Sequence, residues 1–208
     1  MSSPAFQAQD LGGGHRFLTG WLPAGELDAV NFDALWALHP PEFPEIHLHG
    51  HRVKLPRWQQ AYGVDYHFSG QVSTALAVPA ELQPVLDWCR SAIEPALNGL
   101  LLNWYEGQLG HYIGRHRDST RHLVPDLSIV TVSLGEERVF RLRPWPHSSA
   151  AKPTDFRTGN GSVFILPWAT NRVFTHEVTA SKRLMGRRIS ITLRAFQDDS
   201  RTPKMLAA

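Results

Sequence analysis

In the segment GRHRDST, His116 and Asp118 lie two residues apart. On a strand, that spacing sends both side chains to one face. An imidazole and a carboxylate so placed suit a divalent first-row metal. Together with one further histidine they make the facial, open-sided donor set of a non-haem iron site. The pair alone is a weak signal, because a surface ion pair would read the same way. A third donor must come from elsewhere. His176, in RVFTHEV, lies in a β-rich run, whereas its rivals His122 and His147 lie in segments that read as loops.

Twelve residues beyond His176, Arg188 opens a run in which Arg188, Ser190, Thr192 and Arg194 share one face of a strand. Ile189, Ile191 and Leu193 share the other. The apolar face reads as packing. The polar face offers two guanidiniums and two hydroxyls in a row, which suits a dicarboxylate because guanidinium and carboxylate pair bidentately. A solvated basic face on an amphipathic strand is the plainer alternative. Asn103 and Tyr105, in LNWY, place two more hydrogen-bonding groups on one strand face.

These residues need a scaffold. A chain of 208 residues suits one domain with a real core, with or without a modest extension. A hydrophobic content of 42% with 19% charged residues describes a folded protein rather than a disordered one. The net charge of +2 and a pI near 8.9 are compatible with a nucleic-acid partner without demanding one. Cys89 is the only cysteine, which excludes an intrachain disulfide and a thiolate-rich metal site. With no basic leader, no apolar run at the start and no membrane-length apolar stretch, the expectation is a soluble cytoplasmic protein without a membrane partner.

Residues 1–14 read as a flexible N-terminus ending in Gly12-Gly13-Gly14, and 15–39 mix apolar and polar positions at roughly helical spacing. Residues 46–64 contain no acid but carry His47, His49, His51, Arg52, Lys54 and Arg57, and they alternate around Gly50 as a hairpin would. A helix is predicted at about 84–94, with Pro84 in its first turn and Val85, Leu86, Cys89 and Ile93 on one face. After residue 100 come short β-rich runs: LLLNWY, LSIVTVSL, RVFRLR, GSVFILPW, RVFTHEV and RRISITLRAF. Helices followed by many short strands predict an α+β chain whose catalytic half is a sandwich or barrel.

The order Asn103-x-Tyr105, His116-x-Asp118, His176, then Arg188-x5-Arg194 resembles the AlkB branch of the Fe(II)/2-oxoglutarate-dependent dioxygenases. PRWQQAYG and YHFSG resemble the segments that precede that branch's catalytic core. VTVSLGEERVFRLR resembles its strand and turn after the first ligands. The resemblance covers roughly residues 53–196. It implies a double-stranded β-helix (jelly roll) core at 100–197, behind an extension at 15–99 with a nucleotide-recognition-lid hairpin and a supporting helix. The flexible 1–14 and a C-terminal tail at 198–208 complete the expected plan.

The resemblance also implies roles. His116, Asp118 and His176 would bind Fe(II), with 2-oxoglutarate and O2 as cosubstrates. Arg188 would grip the distal carboxylate of 2-oxoglutarate, with Arg194, Asn103, Tyr105 and Thr192 around the remainder. Tyr66 and Phe68 match positions that line a substrate-base pocket, and His49 lies at the tip of the lid. Arg57 and Thr120 complete the candidate substrate contacts. The implied activity is oxidative demethylation of N-alkylated bases, such as 1-methyladenine and 3-methylcytosine, in DNA or RNA, and so direct repair of alkylation damage. The implied partner is methylated nucleic acid. The sequence does not reveal the oligomeric state, and a monomer is the expectation.

Thr120 stands where repair members often carry an acid that helps read the base. His49 stands where a duplex-acting member carries an aromatic wedge, which points to a preference for single strands. The stretch between Tyr105 and His116 is slightly longer than in familiar members. Two other readings use the same residues differently. One is a 2-oxoglutarate-dependent hydroxylase of a protein or small molecule. The other is a non-catalytic metal-binding jelly roll centred on His47, His49 and His51.

Overall fold

A computed structural model describes residues 5–48, 50–68, 70–146, 152–183 and 185–197. β1 (Gln7–Gly12) and β2 (His15–Trp21) form a hairpin, followed by the short helices α1 (Ala24–Asp28) and α2 (Phe32–Ala37). β3 (Glu45–Leu48) and β4 (His51–Lys54) form a second hairpin. β5 (Trp58–Tyr62) follows, then a third hairpin of β6 (Tyr66–Phe68) and β7 (Gln71–Ser73). α3 (Gln83–Ala92) leads to β8 (Gly99–Glu106), β9 (Ile113–His116), β10 (Ile129–Gly135), β11 (Arg138–Pro144), β12 (Thr154–Thr158) and β13 (Ser162–Leu166). α4 (Trp168–Val173) runs into β14 (Phe174–Val178), and β15 (Arg187–Arg194) comes last. No helix among the described residues is long and apolar enough to cross a membrane.

The strands form a seven-stranded sheet, ordered β1-β2-β13-β10-β15-β8-β5, and a four-stranded sheet, ordered β12-β11-β14-β9. Strict alternation decides how they stack. Ile189, Ile191 and Leu193 of β15 and Val130, Val132 and Leu134 of β10 pack on Val85, Leu86 and Cys89 of α3. The other face of the large sheet meets the small sheet: Phe17, Leu101 and Phe164 close against Phe140, Leu142 and Phe174. Phe17 stacks on Phe140 with centroids 5.6 Å apart and ring planes 10° off parallel. Each such side chain contributes roughly 1.5–3 kcal/mol when removed from water. The large sheet is thus covered on both faces, and the two sheets face each other as a jelly roll requires.

The predicted helix is present as α3, with Pro84 in its first turn and Val85, Leu86 and Cys89 buried. It stops before Pro95, because a residue preceding proline disfavours the helical region. The Gly50 hairpin is present as β3 and β4, with Gly50 at φ +81°.

Four local expectations give way. Residues 7–12, expected to be loose, form β1. Gly12 closes the strand opposite His15 and Gly13-Gly14 make the turn, all three at positive φ. Residues 15–21, expected at helical spacing, form β2, which pairs with β13 through Leu18↔Ile165 to Trp21↔Ser162. That pairing is non-local and overrides local spacing. β2 and β5 both belong to the large sheet, so it draws on strands well before the expected core boundary at residue 100. Arg172 and Val173, read as strand, end α4 instead. The expected tail at 198–208 lies outside the described residues.

Candidate active site

β9 and β14 are neighbours in the small sheet, and His116 and His176 are direct partners in their register. Their rings approach edge to face at 4.2 Å. Asp118 lies just beyond the end of β9 rather than on it, yet its carboxylate stays on the same side. Its Oδ1 is 3.8 Å from His116 Nε2 and 3.9 Å from His176 Nε2. One donor atom from each of the three lies within 4.8 Å of the others, and no other such trio forms among the described residues. His122 is in a turn beside His67, with ring centroids 4.6 Å apart, and does not join them. His147 lies outside the described residues.

The donor chemistry fits a divalent cation. Gly114 O lies 2.8 Å from His116 Nδ1 and accepts its hydrogen, which leaves Nε2 as a lone-pair donor. Burial, with His116 beside it, pushes His176 down to about 3, and burial lowers His116 as well. Both rings are therefore neutral, the form that ligates metal. Burial alone would raise the Asp118 carboxyl. The Arg194 guanidinium, by its charge and its hydrogen bonds, outweighs that and holds it well below the usual carboxylate range. The trio therefore offers two neutral imidazoles and one carboxylate, the donor set of a facial iron site.

Asp118 is clamped from several directions. Arg194 donates to Oδ2 through Nη2 (2.7 Å) and Nε (3.2 Å), and Tyr66 donates to Oδ1 at 3.3 Å. Asn171 of α4 grips the backbone: its Nδ2 donates to Asp118 O (3.0 Å) and its Oδ1 accepts from Asp118 N (3.2 Å). Asn171 carried no signal in the sequence, because it lies 53 residues away and is paired only by the fold.

Arg188 is fully buried, not solvated. Its Nε donates to Ser133 Oγ at 2.9 Å, and its guanidinium lies 4.9 Å from the Tyr105 ring. Nη1 and Nη2 have no hydrogen-bond partner among the described residues. Two unpaired donors on a buried cation are costly unless an anion meets them. A carboxylate matches that fork.

Arg188, Arg194, Asn103, Tyr105 and Thr192 all line one cavity with the His-Asp-His trio, as do Tyr66, Phe68 and Arg57. Its volume is about 560 Å3. Tyr66 and Phe68 stack at 5.7 Å.

Several candidates sit differently from expectation. Arg194 spends two donors on Asp118, and only Nη1 is left without a partner among the described residues. Thr192 meets Thr131 through their hydroxyls at 3.4 Å. Arg57, read as part of a basic surface, is buried. It donates to Asn103 Oδ1 (2.7 Å) and Gln59 Oε1 (3.0 Å), so it props Asn103. Thr120 does not line the cavity, whereas Ser119 does. β9 ends at His116, so strand alternation does not extend to Thr120. Arg52 pairs with Glu45 across the hairpin, and the hairpin meets the cavity through Ile46, Val53 and Lys54. His49 lies outside the described residues. His47 faces Arg52 in the hairpin register and bonds Gln71 at 3.2 Å.

The chain matches the family described as the 2OG-Fe(II) oxygenase superfamily over residues 33–194. The DNA oxidative demethylase ALKBH2 of Mus musculus is 29% identical over 161 residues, taking in 72% of this chain and 66% of that protein. The protein of the same name from Homo sapiens is 28% identical over 159 residues, with 72% and 60% covered. The chain thus spans under two thirds of the length of these relatives. The solved structure of OsALKBH1 superimposes with a TM-score of 0.54 at 20% identity, covering 90% of this chain and 99% of that one, a likeness of fold.

Proposed function

The chain belongs to the 2OG-Fe(II) oxygenase superfamily, and from that premise we propose that it is a member of the AlkB branch that oxidatively demethylates N-alkylated bases in single-stranded nucleic acid. The supporting observation is that the His116-Asp118-His176 trio and the unpaired Nη atoms of Arg188 open onto one cavity. His116, Asp118 and His176 would hold Fe(II), which supplies activation of O2 coupled to decarboxylation of 2-oxoglutarate.

This chain's residues do the rest. Arg188 receives the distal carboxylate of 2-oxoglutarate through Nη1 and Nη2, while Ser133 holds the guanidinium plane. Nη1 of Arg194 is left for an oxygen nearer the metal. Arg57 holds Asn103 in place beside Tyr105. The aromatic pair Tyr66 and Phe68 would stack an extruded base, placing its N-methyl carbon toward the trio. Hydroxylation there gives a hydroxymethyl amine that breaks its C–N bond and releases formaldehyde.

The mouse and human relatives are named DNA oxidative demethylases, which supports a nucleic-acid substrate. The preference for single strands rests on His49 being a smaller, more polar residue than an aromatic wedge. Such a residue offsets less of the few kcal/mol that extruding a paired base costs. The test is formaldehyde release from matched single- and double-stranded oligonucleotides carrying 1-methyladenine or 3-methylcytosine, at one salt concentration. Faster release from the single strand is expected. Release only from a peptide or small molecule would overturn the substrate, and faster release from the duplex would overturn the strand preference.

A further inference from the structure

Residues 116 and 118 turn into the cavity, so alternation turns Arg115 and Arg117 outward, at the edge of the small sheet and at the cavity mouth. Elsewhere in that sheet each outward arginine meets an acid: Arg141 with Asp155, Arg143 with Glu177 and Arg157 with Glu137. Arg115 and Arg117 have no carboxylate partner among the described residues, nor does the exposed Arg172 beside them. Arg117 is nonetheless held. Its Nη1 donates to the carbonyl of Arg172 at 2.7 Å, and its guanidinium lies 3.6 Å from the centre of the Trp145 ring. Trp145 is anchored through its backbone to Val173 O at 2.8 Å.

With one ring face under a guanidinium, Trp145 still exposes 47% of its surface. An exposed indole costs apolar surface, and a cation–π contact alone does not need it bare. A flat aromatic face beside unpaired arginines is the combination that takes a nucleobase and its phosphates.

We propose that the Arg117–Trp145 pair is a stacking platform for a base neighbouring the target nucleotide in a single-stranded substrate. Arg115 and Arg172 meet the adjoining phosphates. This rests on the nucleic-acid reading above. The platform adds a contact outside the base pocket: it holds the flanking strand while the target base enters the cavity, and it ties that hold to the backbone between His116 and Asp118.

The test measures binding, not turnover. A fluorescein-labelled, unmethylated single-stranded oligonucleotide is titrated by anisotropy at fixed salt, with Mn(II) and 2-oxoglutarate present. Trp145→Ala is expected to weaken binding roughly tenfold, the fold-change of a lost base–aromatic stack, while Trp145→Phe keeps most of the affinity. An oligonucleotide made abasic beside the central base supplies the other arm of a cycle. For that ligand, wild type and Trp145→Ala should bind alike. Equal loss on the abasic and intact strands would make Trp145 a mere strut and overturn the proposal, as would unchanged binding in Trp145→Ala. If wild type binds a peptide but no oligonucleotide, the platform and the substrate reading fail together. If the cycle behaves as expected but no methylated base releases formaldehyde, the platform stands and only the demethylation reading fails.

Discussion

Nη2 of Arg194 lies 2.7 Å from Oδ2 of Asp118, and both residues are buried. The arginine expected to hold the organic acid therefore also neutralises the carboxylate proposed to hold iron. The charge of the metal site and its cosubstrate pocket are coupled through one guanidinium.

Breaking that pair should cost stability as well as activity. Removing one member of a buried ion pair strands the other, at about 3–5 kcal/mol. Arg194→Ala is expected to lower the denaturant midpoint and weaken Co(II) binding. Arg194→Met combined with Asp118→Asn should be less destabilised than the sum of the single changes, because neither charge is stranded. Additive losses in urea unfolding would show that the pair does not act as a unit.

The metal assignment separates His176 from its rival. His176→Ala should abolish succinate formation and Co(II) binding, while His122→Ala retains both. Asn171→Ala, which frees the Asp118 backbone without touching a donor atom, should weaken metal affinity about 10-fold or more, because the carboxylate is then no longer held in its ligating orientation. Full activity in His176→Ala would remove it from the site.

Arg188→Ala should raise the 2-oxoglutarate requirement sharply, by about 2–5 kcal/mol in binding, since a desolvated carboxylate loses a two-pronged partner. Arg188→Lys should rescue poorly, because a point charge does not replace the fork. An unchanged KM for 2-oxoglutarate in Arg188→Ala would show that another cation holds it.

Cys89 offers a pH test away from the site. It is wholly buried against the large sheet, and burial pushes its thiol up to about 12. A thiol whose pKa is raised by folding stays neutral in the native state but ionises when unfolded. Its contribution is therefore complete below the unfolded value of about 8.5 and is lost as pH rises toward the folded one. Unfolding free energy should fall between about pH 9 and pH 11 in wild type, with a shallower slope in Cys89→Ala. Iodoacetamide should modify Cys89 only in denaturant. Rapid labelling of the native protein would contradict the burial.

Alternation in the sequence determined much of this. Residues 188–194 showed which side chains share a face, and the faces are as expected: Ile189, Ile191 and Leu193 on the helix layer, Arg188 and Arg194 on the cavity. The period of a strand is a local property of the backbone, so it survives without knowledge of neighbours. What lies beyond each face is not local. Whether Arg188 meets water or a closed cavity depends on the small sheet that packs opposite. Residues 7–21 show the same limit: their strands form because β13 offers a partner far along the chain. The choice among His122, His147 and His176 could not be made from spacing alone, whereas pairing of β9 with β14 sets His176 directly beside His116. Tertiary structure alone also turned Arg57 inward to Asn103, brought Asn171 to Asp118 and put Arg117 against Trp145. Each of these contacts joins residues with no shared local period, and only hydrogen bonding between distant strands and the packing of two sheets brings them within reach.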